Sequence, residues 1–98
     1  YLNVNKEIGE KVLKLYYEAF ELFYQKKYYE SVELLQQAII LDPYFPQLYI
    51  RLGSIYYELG LYKEAYENWT TAYELDPEND EIRQLLQEVE VVEYIPNL

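Results

Sequence analysis

Two segments of this chain are versions of one another: "YESVELLQQAIILDP" (Tyr29 to Pro43) and "YKEAYENWTTAYELDP" (Tyr62 to Pro77). A shift of 34 residues brings Tyr28 onto Tyr62, Glu30 onto Glu64, Glu33 onto Glu67 and Ala38 onto Ala72. The same shift lays "LDP" at Leu41–Pro43 on "LDP" at Leu75–Pro77. One constant offset explains every match. A period of this length marks a repeat architecture, in which each unit is one supersecondary element that buries its apolar face against its neighbours. A chain of 98 residues holds one domain of such units.

The pattern between the punctuation is helical. Asn5 is suited to cap a helix beginning at Lys6, along which Ile8, Val12, Leu15, Ala19 and Leu22 recur at steps of three and four. "QKKYY" reads as a turn. A second helix carries Val32, Leu35, Ala38 and Ile39 on one side and stops at Asp42–Pro43, because a residue before proline avoids the helical region. Pro46 suits the first turn of a third helix, followed by Leu48, Leu52, Ile55 and Leu59, with Gly60 as its left-handed stop. Tyr62 to Leu75 forms the fourth, with Ala65, Trp69 and Ala72 on one side and Asp76–Pro77 at its end. Asn79 or Asp80 caps a fifth, expected to run to about Tyr94, before Pro96 closes the chain. The β-branched alternation of "VEVVEY" (Val89 to Tyr94) would suit a strand. With no second strand to pair with, it is read as the last turns of the fifth helix.

Helix pairs at a period of 34 resemble the tetratricopeptide repeat (TPR). The segment from Pro46 to Asn79 carries that pattern: Tyr49, the Leu52–Gly53 pair, Tyr56, Gly60 and Tyr62 at the turn, then Ala65, Trp69, Ala72 and the closing Pro77. Gly53 and Ala65 allow two helices to approach closely, and Trp69 and Tyr49 fill the wedge beside them. The first repeat departs: Ala19 stands for the close-approach glycine, Ser31 for the alanine and Lys26 for the turn glycine. The resemblance implies an all-α fold, a right-handed superhelix of antiparallel helix pairs with about five helices. Its expected divisions are an N-terminal extension (1–11), a first repeat (12–45), a second repeat (46–79), a capping helix (80–94) and a tail (95–98). The fifth helix resembles the solvating helix that ends such arrays, with Glu81, Glu88, Glu90 and Glu93 outside and Ile82, Leu86 and Val89 inward. The chain begins on Tyr1 and not on Met, and is expected to be a piece of a longer protein.

Composition narrows the function. The formal net charge is −10, which argues against nucleic acid and against an anionic membrane surface, since both need clustered Lys and Arg. No apolar run is long enough to span a membrane. There is no His and no Cys, so zinc sites and imidazole or thiolate catalysis lose their usual residues. Ser31 and Ser54 fall within helices. "DPENDE" sits on an exposed turn where nothing raises a carboxyl pKa, and it lacks the Gly and distant Glu of a calcium loop. The three glycines are far apart and form no phosphate loop. No catalysis and no cofactor are expected.

What remains is an excess of rings. "YYEAFELFYQKKYY" (Tyr16 to Tyr29) has seven aromatic residues in fourteen. At about 100° per residue, Ile8, Val12, Leu15, Ala19 and Leu22 share one face of the first helix, and Leu13, Tyr16, Tyr17, Phe20, Phe23 and Tyr24 flank it. The apolar arc is roughly 220° wide, about twice what a one-sided amphipathic helix needs. Tyr28, Tyr49, Tyr56, Tyr62 and Trp69 are expected in the repeat core, and Tyr29, whose counterpart is Lys63, at the surface. By the resemblance, the second face of the first helix belongs to the concave groove. There the third helix adds Gln47, Ile50, Arg51, Ser54, Tyr57 and Glu58, and the fifth Glu81, Gln84, Leu85, Glu88, Val91 and Val92.

The resemblance therefore implies a protein-interaction module whose groove binds a protein or peptide partner. The partner would place apolar and aromatic side chains on the ring-rich end and a polar or basic stretch near Glu58 and Glu88. One subclass of the family grips a C-terminal carboxylate with Lys, Arg and Asn. The corresponding places here hold Tyr16, Phe20, Arg51, Glu81 and Leu85, and only Arg51 is cationic. That argues against an acidic tail as ligand. The alternative is a structural role, in which the same face meets the "YLNVN" start, an upstream segment, a neighbouring domain, or a second copy of the chain in a homodimer.

Overall fold

The computed structural model describes residues 2–89, with side chains from Asn5 onward. Five helices follow one another: α1 (Leu2–Tyr24), α2 (Tyr28–Leu41), α3 (Pro46–Glu58), α4 (Tyr62–Leu75) and α5 (Asp80–Val89). No strand occurs among the described residues. Expectations for the fifth helix beyond Val89, for Val91 and Val92, for most of "VEVVEY" and for the tail lie outside them.

The turns are built by local chemistry. After α1, Lys26 N–H donates to the Phe23 carbonyl (2.9 Å) and Lys27 N–H to Leu22 (2.9 Å). After α3, Gly60 N–H donates to Tyr57 (3.0 Å) and Leu61 N–H to Tyr56 (2.8 Å). These are two copies of the same C-terminal motif, which requires a left-handed residue just past the helix. Gly60 supplies it with φ 78°, and Lys26 supplies it with φ 63°. Pro46 opens α3 at its first position. The Asn79 side-chain oxygen accepts the Ile82 N–H (3.3 Å), capping α5.

Helix α1 begins at Leu2, four residues before the expected start, so Asn5 lies inside it and caps nothing. No Pro or Gly interrupts residues 2–8, and propagation from a long helix adds one hydrogen bond per residue.

Pairs α1/α2 and α3/α4 pack most closely, α2 meets α3, and α5 lies on α4. Val12, Leu15, Ala19, Leu35, Ala38, Leu48, Leu52 and Ile55 form the first core, which joins the two pairs. Ile50, Ala72 and Ile82 form a second, and Ala65, Trp69 and Val89 a third. Close approach is solved differently in each pair. In the second, Gly53 lies directly under the Trp69 indole: a Cβ there would overlap Nε1 and Cδ1. The indole then donates from Nε1 to the Ile50 carbonyl (3.0 Å). In the first pair the equivalent places hold Ala19 and Leu35, a larger helix residue facing a smaller partner. The buried Ser31 hydroxyl donates to the Ala19 carbonyl (2.7 Å).

One core expectation fails. Ile8 has the right angular position but is 36% exposed. Helix α1 has 23 residues and α2 has 14, so the first turns of α1 extend past the end of their partner.

Candidate functional site

Side chains of α1 and α3 meet at one surface, and side chains of α3 and α5 share a cleft. The α1 rings stack along the helix: Tyr16 lies 5.4 Å from Tyr17 and 6.3 Å from Phe20, and Phe20 lies 4.8 Å edge-on to Tyr24. Tyr16 also reaches Phe45, at 6.0 Å. A spacing of four residues puts Tyr16, Phe20 and Tyr24 in contact on the helix surface, and Tyr17 meets Tyr16 edge-on from the adjacent position. The row is unevenly covered. Tyr17 is 62% exposed and Tyr24 69%, while Tyr16 and Phe20 are half-buried. Phe23 turns inward, 5.7 Å from Tyr28, against the first core. Leu13 is exposed and lines a notch of about 220 Å³ with Gly9, Val12, Asp42 and Phe45.

Arg51 of α3 closes on this row. Its Nε–H donates to the Tyr16 hydroxyl oxygen (3.1 Å), and its guanidinium carbon sits 5.0 Å from the centre of the Phe20 ring. Among the described residues it forms no ion pair. The cation is thus held in place by a neutral hydroxyl and an aromatic face.

Further along, α3 and α5 enclose a cleft of about 200 Å³ lined by Ser54, Tyr57, Glu58, Trp69, Leu85 and Glu88. Tyr57 packs 5.7 Å from Trp69 and 5.1 Å from Tyr62. The Ser54 hydroxyl donates to the Ile50 carbonyl (3.0 Å), so it is turned toward its own helix. Glu58 and Glu88 are exposed. A larger hollow of about 450 Å³ runs beside Glu7, Glu10, Lys11, Lys14, Leu15 and Glu18, all on α1, and among the described residues no second element faces it.

The structure therefore brings Tyr16, Phe20 and Arg51 together, and separately Ser54, Tyr57 and Glu58. Ile50, expected to line the groove, does not: it is 0% exposed and packs on Ala72 and Ile82. Its counterpart in the first repeat, Tyr16, also packs against its core, but the larger side chain stays half-buried. Trp69 was expected as core alone, yet it also lines the α3/α5 cleft. Its signal was Gly53, which lets the indole cross the helix pair. Among the described residues, no three His, Cys, Asp or Glu side chains converge as a metal site would require. Among the described residues, no helix is long and apolar enough to cross a membrane either.

Comparison with known proteins agrees with the fold. The family model described as "TPR repeat" matches residues 21–60, and that described as "Tetratricopeptide repeat" matches 46–79. The chain is 32% identical over 69 residues to "Anaphase-promoting complex subunit 3" of Dictyostelium discoideum, a stretch that is 69% of this chain but 7% of that relative. Among solved structures it resembles the second TPR domain of the human RPAP3 protein in complex with the HSP70 peptide SGPTIEEVD. The TM-score is 0.76 and the identity 27%, over 84% of this chain and 68% of that one. It shares its fold with the first TPR of Spaghetti (RPAP3) bound to the HSP90 peptide SRMEEVD, with TM-score 0.53 and 21% identity, over 84% of this chain and 92% of that one. The chain belongs to the tetratricopeptide-repeat family, with two repeats in an all-α, right-handed superhelix of antiparallel helix pairs.

Proposed function

We propose that this chain is a non-catalytic protein-interaction module, and that the face shared by α1, α3 and α5 binds an extended or helical segment of a partner protein. The observation that carries this is the α1 row. Tyr17 and Tyr24 are largely exposed, and Leu13 nearly half, on a helix whose opposite side already fills the core. Rings left in water beside a packed core suit a contact surface, since Tyr gives large area at low entropy cost. The RPAP3 domain, bound to a peptide, supports the same mode of use.

The chemistry of the partner should differ from that peptide. SGPTIEEVD is an acidic segment, and this chain carries −10. Arg51, the lone cation at the places the carboxylate-gripping subclass uses, is already engaged by Tyr16 and Phe20. An apolar or aromatic segment meeting Tyr16, Tyr17, Phe20 and Tyr24 fits better.

The same exposed rings favour a second reading, a homodimer or a packing surface for another domain. Sedimentation across a concentration series separates the two. A tight dimer that dissociates on Tyr17→Glu would replace the groove with an assembly surface. A monomer whose captured partners disappear with Tyr17→Ala/Phe20→Ala supports the groove, and identical partners for both forms would remove this face from the proposal.

A further inference from the structure

We infer that the α3/α5 cleft is a subsite for one cationic side chain, Lys or Arg, of the segment bound on this face. The inference rests on the groove reading above and adds to it a charge preference and a position.

The cleft has three features that together fit such a side chain. Two carboxylates, Glu58 and Glu88, approach it from different helices, and both are exposed. Neither forms an ion pair among the described residues, where Arg83 is taken by Asp80 on its own helix. Arg51, one turn from Ser54 on α3, points to the other end of the face and is occupied by Tyr16 and Phe20. The interior of the cleft is aromatic and aliphatic: Tyr57 offers a ring and Leu85 a methyl surface, over the buried Trp69 indole. Lys and Arg have this profile in reverse, an apolar stem that packs on hydrocarbon and a charged head that lies over rings and reaches carboxylates. An acidic side chain would meet two like charges here, and a purely apolar one would leave both carboxylates desolvated without a partner.

The position defines register. The aromatic row on α1 and the acidic cleft sit at opposite ends of one face, with Arg51 between them. A partner segment should therefore carry its rings or aliphatic residues at one end and its cation at the other. Moving the cation next to the apolar cluster should weaken binding even though the peptide's composition is unchanged.

Selection from a random twelve-residue peptide library tests this on three forms of the chain: native, Glu58→Gln/Glu88→Gln and Tyr17→Ala/Phe20→Ala. The native form should enrich peptides with a Lys or Arg at a fixed distance from an apolar cluster. The Glu58→Gln/Glu88→Gln form should keep the apolar cluster and lose the fixed cation. In a selected peptide, changing that cation to Ala should weaken binding to the native chain about five- to tenfold and leave binding to the glutamine variant unchanged. Both glutamates are exposed, so the variant should melt like the native chain, which a thermal scan verifies. Trp69 is the single tryptophan, so its emission reports occupancy of the cleft directly. Native-selected peptides with no cation preference, or the same preference in both forms, would overturn the subsite while leaving the groove. No enrichment by the native chain at all would overturn the groove and the subsite with it.

Discussion

At the scale of single residues, the two repeats are an internal experiment on one geometry. Lys26 and Gly60 occupy the same turn, and both are left-handed. An L-residue with a Cβ is strained there by about 1 kcal/mol, while glycine is not. Lys26→Gly should therefore raise stability by about 0.5–1 kcal/mol, read as an upward shift of several degrees in the melting midpoint. Gly60→Ala should lower it by about 1 kcal/mol, and by backbone strain alone, since no atom lies near the added Cβ. The close-approach site makes a stronger prediction. Gly53→Ala drives a methyl into the Trp69 ring and threatens its bond to the Ile50 carbonyl, at a cost of about 1–3 kcal/mol or more. The first repeat already shows the compensated form, Ala19 against Leu35. In a double-mutant cycle, Gly53→Ala/Trp69→Leu should cost less than the sum of its parts by about 1 kcal/mol or more, measured by chemical denaturation. These contrasts were legible in the sequence as departures from the repeat pattern. Their sizes were not, because the overlap depends on where the indole lies across the pair.

At the scale of elements, the link between α2 and α3 is tied by side chains. Tyr44 N–H donates to an Asp42 carboxylate oxygen (3.1 Å), and the Tyr49 hydroxyl donates to the Pro43 carbonyl (2.8 Å). Burial, followed by the nearby Asp42 carboxylate and Tyr44, raises the Tyr49 pKa above its ordinary value near 10. The unfolded chain then loses this proton first as pH rises. The stabilisation is complete below about pH 10 and is lost as pH climbs through the raised folded value. Tyr49→Phe should cost about 1 kcal/mol near neutral pH and should flatten the alkaline fall in stability, followed by circular dichroism between neutral and strongly alkaline pH. Helix α5 is the other exposed dependency. Ile82 and Val89 are fully buried, against Ile50 and Ala72 and against Ala65 and Trp69. Ending the chain after Asn79 should uncover the second and third cores, red-shift Trp69 emission and lower the melting midpoint.

At the scale of the whole molecule, charge and open ends dominate. Eighteen acidic residues against eight basic ones repel one another across a small domain. Raising salt from a few millimolar to about 0.5 M, where screening acts within a few ångströms, should raise the melting midpoint while weakening any partner held by Glu58 and Glu88. The order of the helices, their turns and the inward stripes were determined by the sequence itself, because 3.6-residue spacing, Asp–Pro stops and left-handed turn positions act within a few residues. Tertiary structure alone decided which positions on those stripes meet water. Tyr16 and Ile50 are equivalent by the repeat and share an angle, yet Tyr16 is half-buried in the aromatic row and Ile50 is sealed against Ala72 and Ile82. Ile8 has a core angle and no helix opposite it. The Arg51 contacts with Tyr16 and Phe20, and the cleft that joins Glu58, Trp69 and Glu88, each unite residues from different helices. A helical period assigns a residue its direction, but burial depends on what the next helix places in its path, and that is set only when the pairs stack.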